Sequence, residues 1–248
     1  MNKLDSRIRP AKGKLGILLP GMGAVTSTFI AGVELVKKGL GMPVGSVTQM
    51  QAIRLGKRYE NRSPLIKDFV PLAKLDQLVF GGWDFFTDDM FVAATKCGVL
   101  DAAMLAPIKK ELQAIKPMSA VYDEAYIKNI KASNPKKGKS KMDLAEQVMA
   151  DIENFKTKNG CDRVVMLWCG STERLPAPSK CHEGLEAFEQ GLRGSDPSIP
   201  PSMIYAYAAI KLGVAYGNGA PNLSADIPAL VELAEETGSP ICGKDFKT

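Results

Sequence analysis

Long hydrophobic runs are missing from this 248-residue chain. Nowhere do the roughly 18 apolar residues needed to cross a bilayer as a helix follow one another, so no membrane span is expected. Histidine is nearly absent: His182 stands alone in the loop "SKCHEG" with no evident Ser or Cys partner for catalysis. That argues against a catalytic triad and predicts a surface imidazole. The cysteines, Cys97, Cys161, Cys169, Cys181 and Cys242, are odd in number and form no CxxC pair. Neither a zinc site nor a disulfide framework is indicated, no metal is expected, and a reduced, cytoplasmic setting is the simplest reading. The first residues, "MNKLDSRIRPAKGK", are charged with no apolar stretch behind them, so no signal peptide is expected. There is no internal repeat.

What remains is ordinary soluble material, 45% apolar and 24% charged, in a range that supports a packed core. The net charge of +5 favours a small anionic ligand such as a phosphate over a nucleic-acid partner. Six lysines crowd residues 128–141. Without an accompanying nucleic-acid motif they read as a solvated, mobile loop.

Strand and helix signals alternate along the chain. Strands are expected near 15–19, 76–84, 118–123, 161–173 and 214–219, with a last one at "PICGKD". The run 161–173 has an uninterrupted apolar centre, as a strand buried on both faces would. Helices are expected at 25–38, in "TDDMFVAATKCGVL" with Thr87 as N-cap, near 106–115, and at 142–156 and 202–213. "DIPALVELAEETG" is a further helix, with proline in its first turn and glycine at its end. Residues 41–75 read as an insertion of loop and short helical pieces. About six alternations predict an α/β fold, a Rossmann-like, doubly wound and mostly parallel sheet with helices on both faces.

The first strand runs into "PGMGAVT". In a dinucleotide site the first glycine makes the tight turn, the second admits the pyrophosphate, and the following helix N-terminus supplies oriented N–H groups. Gly21 and Gly23 fit those roles. Thr26 occupies the third position, so the helix must pack differently or the loop must be longer. No acid lies about 20 residues on, where the ribose-binding carboxylate is usual. The next strand, however, ends in Asp84, and an insertion displaces an acid in sequence while leaving it in place on the sheet. Other strand ends also finish in polar groups or glycine: Tyr122 and Asp123; Gly170, Ser171, Thr172 and Glu173; Gly217, Asn218 and Gly219. Singly, each is explained by turn and capping chemistry. Trp83 and Trp168 are structural, or Trp83 borders an adenine.

The strings "LLPGMGAVTSTFIAGVE", "IRLGKRYENRSPLIKDFVPLA", "VFGGWD", "LWCGSTE", "PSMIYAYAA", "NGAPNLSADIPAL" and "GKDFKT" together resemble the bacterial branch of the myo-inositol-1-phosphate synthases, from about residue 13 onward. The resemblance implies conversion of glucose 6-phosphate to inositol monophosphate with a tightly held NAD. The steps would be oxidation, enolisation, intramolecular aldol closure and re-reduction, which places the activity in the isomerase or intramolecular lyase class. It implies that Gly21, Met22, Gly23, Ala24 and Val25 hold the pyrophosphate and Asp84 the ribose. Ser119, Ala120, Gly170, Ser171 and Thr172 would line the cofactor cleft, with Asn218 and Asp245 near the nicotinamide. Asn222, Lys247 and Thr248 would meet the substrate, and Asp245 and Lys247 would share in catalysis.

The resemblance further implies an arm at 1–13, an NAD-binding domain at 14–243 with its insertion at 41–75, and the start of a catalytic and oligomerisation domain at 244–248. That second, α+β domain is largely absent from this chain. The family's catalytic lysines also lie beyond residue 248, so the 248-residue chain alone is expected to show little cyclisation. A cytoplasmic homo-oligomer, tetrameric in the family, serving inositol and phospholipid biosynthesis is the implied setting, with no nucleic-acid or membrane partner. The alternatives are a non-catalytic NAD-binding fragment or regulatory subunit, and an NAD-dependent dehydrogenase of a sugar phosphate.

Overall fold

The computed structural model describes residues 12–246, so most of the expected N-terminal arm, together with Lys247 and Thr248, lies outside the described residues. Six strands form one sheet: β1 (Lys14–Pro20), β2 (Leu78–Asp84), β3 (Met118–Ser119), β4 (Cys161–Trp168), β5 (Ala215–Asn218) and β6 (Ile241–Gly243). Their order is β3-β2-β1-β4-β5-β6 and every pairing is parallel. Parallel strands need crossovers, which must cover both faces of the sheet with helices.

Ten helices are described: α1 (Ala24–Lys37), α2 (Val47–Met50), α3 (Ile66–Phe69), α4 (Met90–Cys97), α5 (Ala102–Leu105), α6 (Lys109–Gln113), α7 (Lys141–Asn159), α8 (Leu185–Gly194), α9 (Pro201–Lys211) and α10 (Pro228–Thr237). Side chains alternate across a strand, and β1 shows the consequence. Ile17 and Leu19 enter a cluster with α1, α4, α5 and α6, whereas Leu18 enters the cluster formed by α7 to α10. The second cluster is the larger. Helix α9 is apolar all round and buried from Pro201 to Ile210, because it is packed against α7, α10 and β5.

Local chemistry sets several boundaries. Asp89, rather than Thr87, caps α4 by accepting the Val92 N–H at 2.9 Å. The expected helix near 106–115 is a 3-10 turn over Ala106–Ile108 followed by α6, with the short α5 ahead of it; Pro107 cannot donate to the preceding turn, which keeps α5 and α6 from being one helix. β3 is shorter than its apolar run because Val121 donates its N–H to the Tyr205 hydroxyl at 2.9 Å instead of to a strand. Likewise β4 stops at Trp168, and the residues up to 173 form a loop.

The lysine-rich segment is not simply solvated. Lys136 pairs with Asp151 at 2.8 Å, and Lys141 donates to the carbonyls of Asp196 and Ile199 at 2.9 and 2.6 Å. Nor is His182 a surface residue: it is buried, with Nε2 3.0 Å from the Ser198 carbonyl. Trp83 is fully buried and donates Nε1–H to Asp151 at 2.7 Å, so its ring is structural.

Asp151 therefore serves two donors at once. The side chains of Lys136 and Asp151 are only 9% and 24% exposed, so removing the acid leaves an ammonium and an indole N–H without their acceptor. Asp151→Ala is expected to lower the unfolding free energy by about 2–3 kcal/mol, read from urea denaturation. A loss below about 0.5 kcal/mol, the size of an ordinary surface substitution, would show the pairing to be dispensable.

Candidate functional site

The chain leaves β1 toward β2 and β3 on one side, then returns to β4 and proceeds to β5 and β6 on the other. In an open parallel sheet, this reversal opens a crevice at the carboxyl ends of the two central strands. A cavity of about 620 Å³ lies there, lined by residues 21–25, 84–86, 169–172, 219–221 and 245–246, with Asp88 and Lys96 at its side. Its size suits an extended small molecule.

Gly21 makes the first turn, at φ +90°. A Cβ there would lie 2.3 Å from the Gly170 Cα, so only glycine permits the ends of β1 and β4 to approach. The Gly21 N–H bonds to the Trp83 carbonyl at 2.9 Å, which ties the turn to β2. Gly23 occupies the N-cap of α1 with no side-chain cap, and no atom would stand within 4 Å of a Cβ built on it. The helix end thus faces open space where an anion can meet its N–H groups. Thr26 is fully buried and donates its hydroxyl to the Gly21 carbonyl at 2.6 Å. The residue in the place of a third glycine closes the turn back on its own first glycine.

Asp84 ends β2 beneath this loop. One carboxyl oxygen accepts the Met22 N–H at 2.7 Å and the other the Phe86 N–H at 3.0 Å. Burial raises its pKa, opposed by these backbone donors. Each oxygen retains a further lone pair, on the lining of the cavity. Cys169 also lines the wall, but burial pushes its thiol up to about 11, so it is not a ready nucleophile.

The opposite wall rests on Glu173, a buried acid just past the lining residue Thr172. Helix α9 begins Pro200-Pro201-Ser202 and has no side-chain cap of its own. Glu173 supplies one from a distance, accepting the Ser202 N–H at 2.9 Å and the Ser202 hydroxyl on its other oxygen. That second oxygen also accepts from Asn222 Nδ2 at 3.2 Å, while the Glu173 N–H donates to Asn222 Oδ1 at 3.0 Å. Asn218 continues the network: its Nδ2 donates to the Asn222 carbonyl at 2.8 Å, and its Oδ1 accepts the Ala220 N–H at 3.1 Å. Its own carbonyl accepts the Asp245 N–H at 3.1 Å.

Of the residues singled out in the sequence, Gly21, Met22, Gly23, Ala24, Val25, Asp84, Gly170, Ser171, Thr172 and Asp245 meet around the one cavity. Asn218 and Asn222 are buried behind its wall. Ser119 and Ala120 are not on that lining but lie next to it: Ser119 pairs with Asp84 in the sheet and its hydroxyl bonds to Asn134 Oδ1 at 2.9 Å, and Ala120 lines a small adjoining pocket with Gly21, Asp84 and Gly170. Lys247 and Thr248 lie outside the described residues. Phe85, Phe86, Lys96 and Pro221 join the lining without having been singled out. For Phe85, Phe86 and Pro221 nearness to Asp84 and Asn222 in sequence was the available signal; Lys96 comes from α4 and carried none. Among the described residues no group of three or more His, Cys, Asp or Glu is placed to hold a metal ion, and no helix is long and apolar enough to cross a membrane.

An NAD-binding family model, described as myo-inositol-1-phosphate synthase, matches residues 15–248. Inositol-3-phosphate synthase 1 of Bacteroides thetaiotaomicron is 42% identical over 247 residues, which cover 99% of this chain and 57% of that protein. The Saccharomyces cerevisiae inositol-3-phosphate synthase is 31% identical, over 95% of this chain and 49% of that protein. The crystal structure of the Caenorhabditis elegans inositol-3-phosphate synthase superposes with a TM-score of 0.87 at 26% identity, covering 97% of this chain and 50% of that one. The chain thus spans about half the length of the curated relatives it matches.

Glu173 also makes the stability of the site depend on pH. Burial pushes its carboxyl up to about 7 from an ordinary 4.5, against the opposing pull of the Ser202 and Asn222 donors. Between those values the native state holds a proton that the unfolded chain has released, so unfolding free energy falls as pH rises through this window. In Glu173→Gln the slope between pH 4.5 and 7 is expected to flatten, measured from urea midpoints at both ends. An unchanged slope would assign the titration elsewhere.

Proposed function

This chain belongs to the myo-inositol-1-phosphate synthase family, and on that premise we propose that its cavity holds NAD while the whole protein converts glucose 6-phosphate to inositol monophosphate. The observation that carries the reading is the meeting of three features at the sheet's reversal point. They are the glycine-only approach of Gly21 to Gly170, the open N-terminus of α1 at Gly23, and the strand-end acid Asp84. All three fit a dinucleotide, which needs close backbone approach, N–H donors for its pyrophosphate and an acceptor for a ribose diol.

Bound NAD supplies a hydride acceptor that becomes the donor later in the same turnover. The rest of the proposal concerns the chain's own groups. The loop 21–25 directs N–H groups at the pyrophosphate, and Asp84 accepts from the ribose hydroxyls through the lone pairs that Met22 and Phe86 leave free. Asp84 disfavours a 2′-phosphate and so selects NAD over NADP, whereas the Asp88 carboxylate is paired with Lys96 at 2.6 Å. Residues 170–172, Asn218 and Asp245 flank the nicotinamide side, with Ser119 and Ala120 supporting the cleft from the edge of the sheet. The roles of Asn222, Lys247 and Thr248 toward the substrate, and of Asp245 and Lys247 in catalysis, rest on the resemblance.

In this reading residues 14–243 are the dinucleotide-binding unit, 41–75 its insertion, and 244–248 the beginning of the following part. A cytoplasmic, homo-oligomeric enzyme supplying inositol for phospholipids completes the proposal, on the strength of family membership.

Two measurements test it. Asp84→Ala is expected to weaken NAD binding at least tenfold, about 1.4 kcal/mol, and to narrow the preference over NADP, both read by calorimetry. Unchanged NAD affinity would remove the ribose assignment. For the whole protein, glucose 6-phosphate should be consumed without net accumulation of NADH. Stoichiometric NADH would instead favour a sugar-phosphate dehydrogenase.

A further inference from the structure

We infer that Glu173 is a positioning residue that fixes the two loops forming the nicotinamide side of the cavity, and that it acts on that half alone. The inference rests on the NAD reading above and deepens it. Glu173 follows the lining residue Thr172, and Asn222 follows the lining residue Pro221. The two are joined twice, by the Glu173 N–H on Asn222 Oδ1 and by Asn222 Nδ2 on the Glu173 carboxyl. This reciprocal pair holds loop 170–172 against loop 219–221, although 49 residues of chain separate its members.

The pair is anchored from below. Both carboxyl oxygens of Glu173 accept from Ser202 at the start of α9, the most deeply buried helix among those described. The anchor is therefore the core itself rather than another loop. From Asn222 the connection passes through its carbonyl to Asn218, and through the Asn218 carbonyl to the N–H of Asp245 on the cavity lining. One acid thus holds three lining segments, all of them after β4. The segments before β4, residues 21–25 and Asp84, are fixed by separate bonds to Trp83 and Met22. In a doubly wound sheet the two halves each receive one mononucleotide of a dinucleotide, so the clamp addresses one mononucleotide only.

This asymmetry gives a readout that a general loss of stability would not. NAD and ADP are titrated by calorimetry into the wild-type chain, Glu173→Ala, Asn222→Ala and the double variant. Both single variants are expected to weaken NAD about tenfold or more, the scale of a small misplacement of a binding wall, while ADP affinity stays within about twofold. The double variant is expected to lose no more than the worse single one, because the two side chains act as a unit. Glu173→Gln, which keeps an acceptor for the Ser202 N–H, should lie between wild type and Glu173→Ala. If Glu173→Ala does not fold, Glu173→Gln and Asn222→Ala carry the same comparison.

Unchanged NAD affinity in the variants, or equal losses for NAD and ADP, would overturn the positioning role and leave the NAD site standing. A wild-type chain that binds neither ligand would overturn the NAD reading and this inference with it.

Discussion

The backbone of Gly21 passes so close to Gly170 that a single methyl group would collide with it, and the site depends on that approach. Two central strands must end side by side for the crevice between them to be narrow enough to grip a chain-like ligand. A side chain at Gly21 would push β4 away from β1, and with it the loops that follow each strand. The same turn is held from the β2 side by the Trp83 carbonyl and from within by the Thr26 hydroxyl. The loop is therefore determined from three directions before any ligand arrives, so little ordering cost remains for binding.

The two halves of the sheet solve the problem of holding a loop in different ways. Before β4, a carboxylate at a strand end accepts backbone N–H groups directly, and the acid itself remains on the cavity surface. After β4, the acid is withdrawn into the core, caps a helix that opens on two prolines, and reaches the cavity through asparagines. Burial raises the pKa of both acids. The first is placed to meet a ligand and the second to hold the walls that meet it.

Much of this was legible in the sequence, for local reasons. An apolar run broken by "PGMG" reads as strand and turn because only glycine tolerates the backbone that follows. Asp84 could be found despite the insertion because a strand end marks its own position on the sheet. The contributions of Glu173, Lys136, Lys141 and His182 were not legible in the same way. Glu173 meets Ser202 and Asn222 across 29 and 49 residues, and Lys141 meets the Asp196 carbonyl across 55. A lysine or histidine is read as solvated unless its partner is known, and here the partner comes from a distant element. Thr26 looked like a defect in a glycine pattern because its hydroxyl's acceptor, the carbonyl of Gly21, appears only when the loop closes.

In the proposed reading, one cavity at the reversal of the sheet receives NAD with its two halves on opposite walls. Amide chemical-shift mapping of the chain during NAD titration tests it most directly. Saturable shifts are expected at residues 21–25, 84–86, 170–172 and 219–220, with residues 47–69 of the insertion unmoved. Shifts confined to the insertion or to the β6 edge, or none at millimolar NAD, would contradict it.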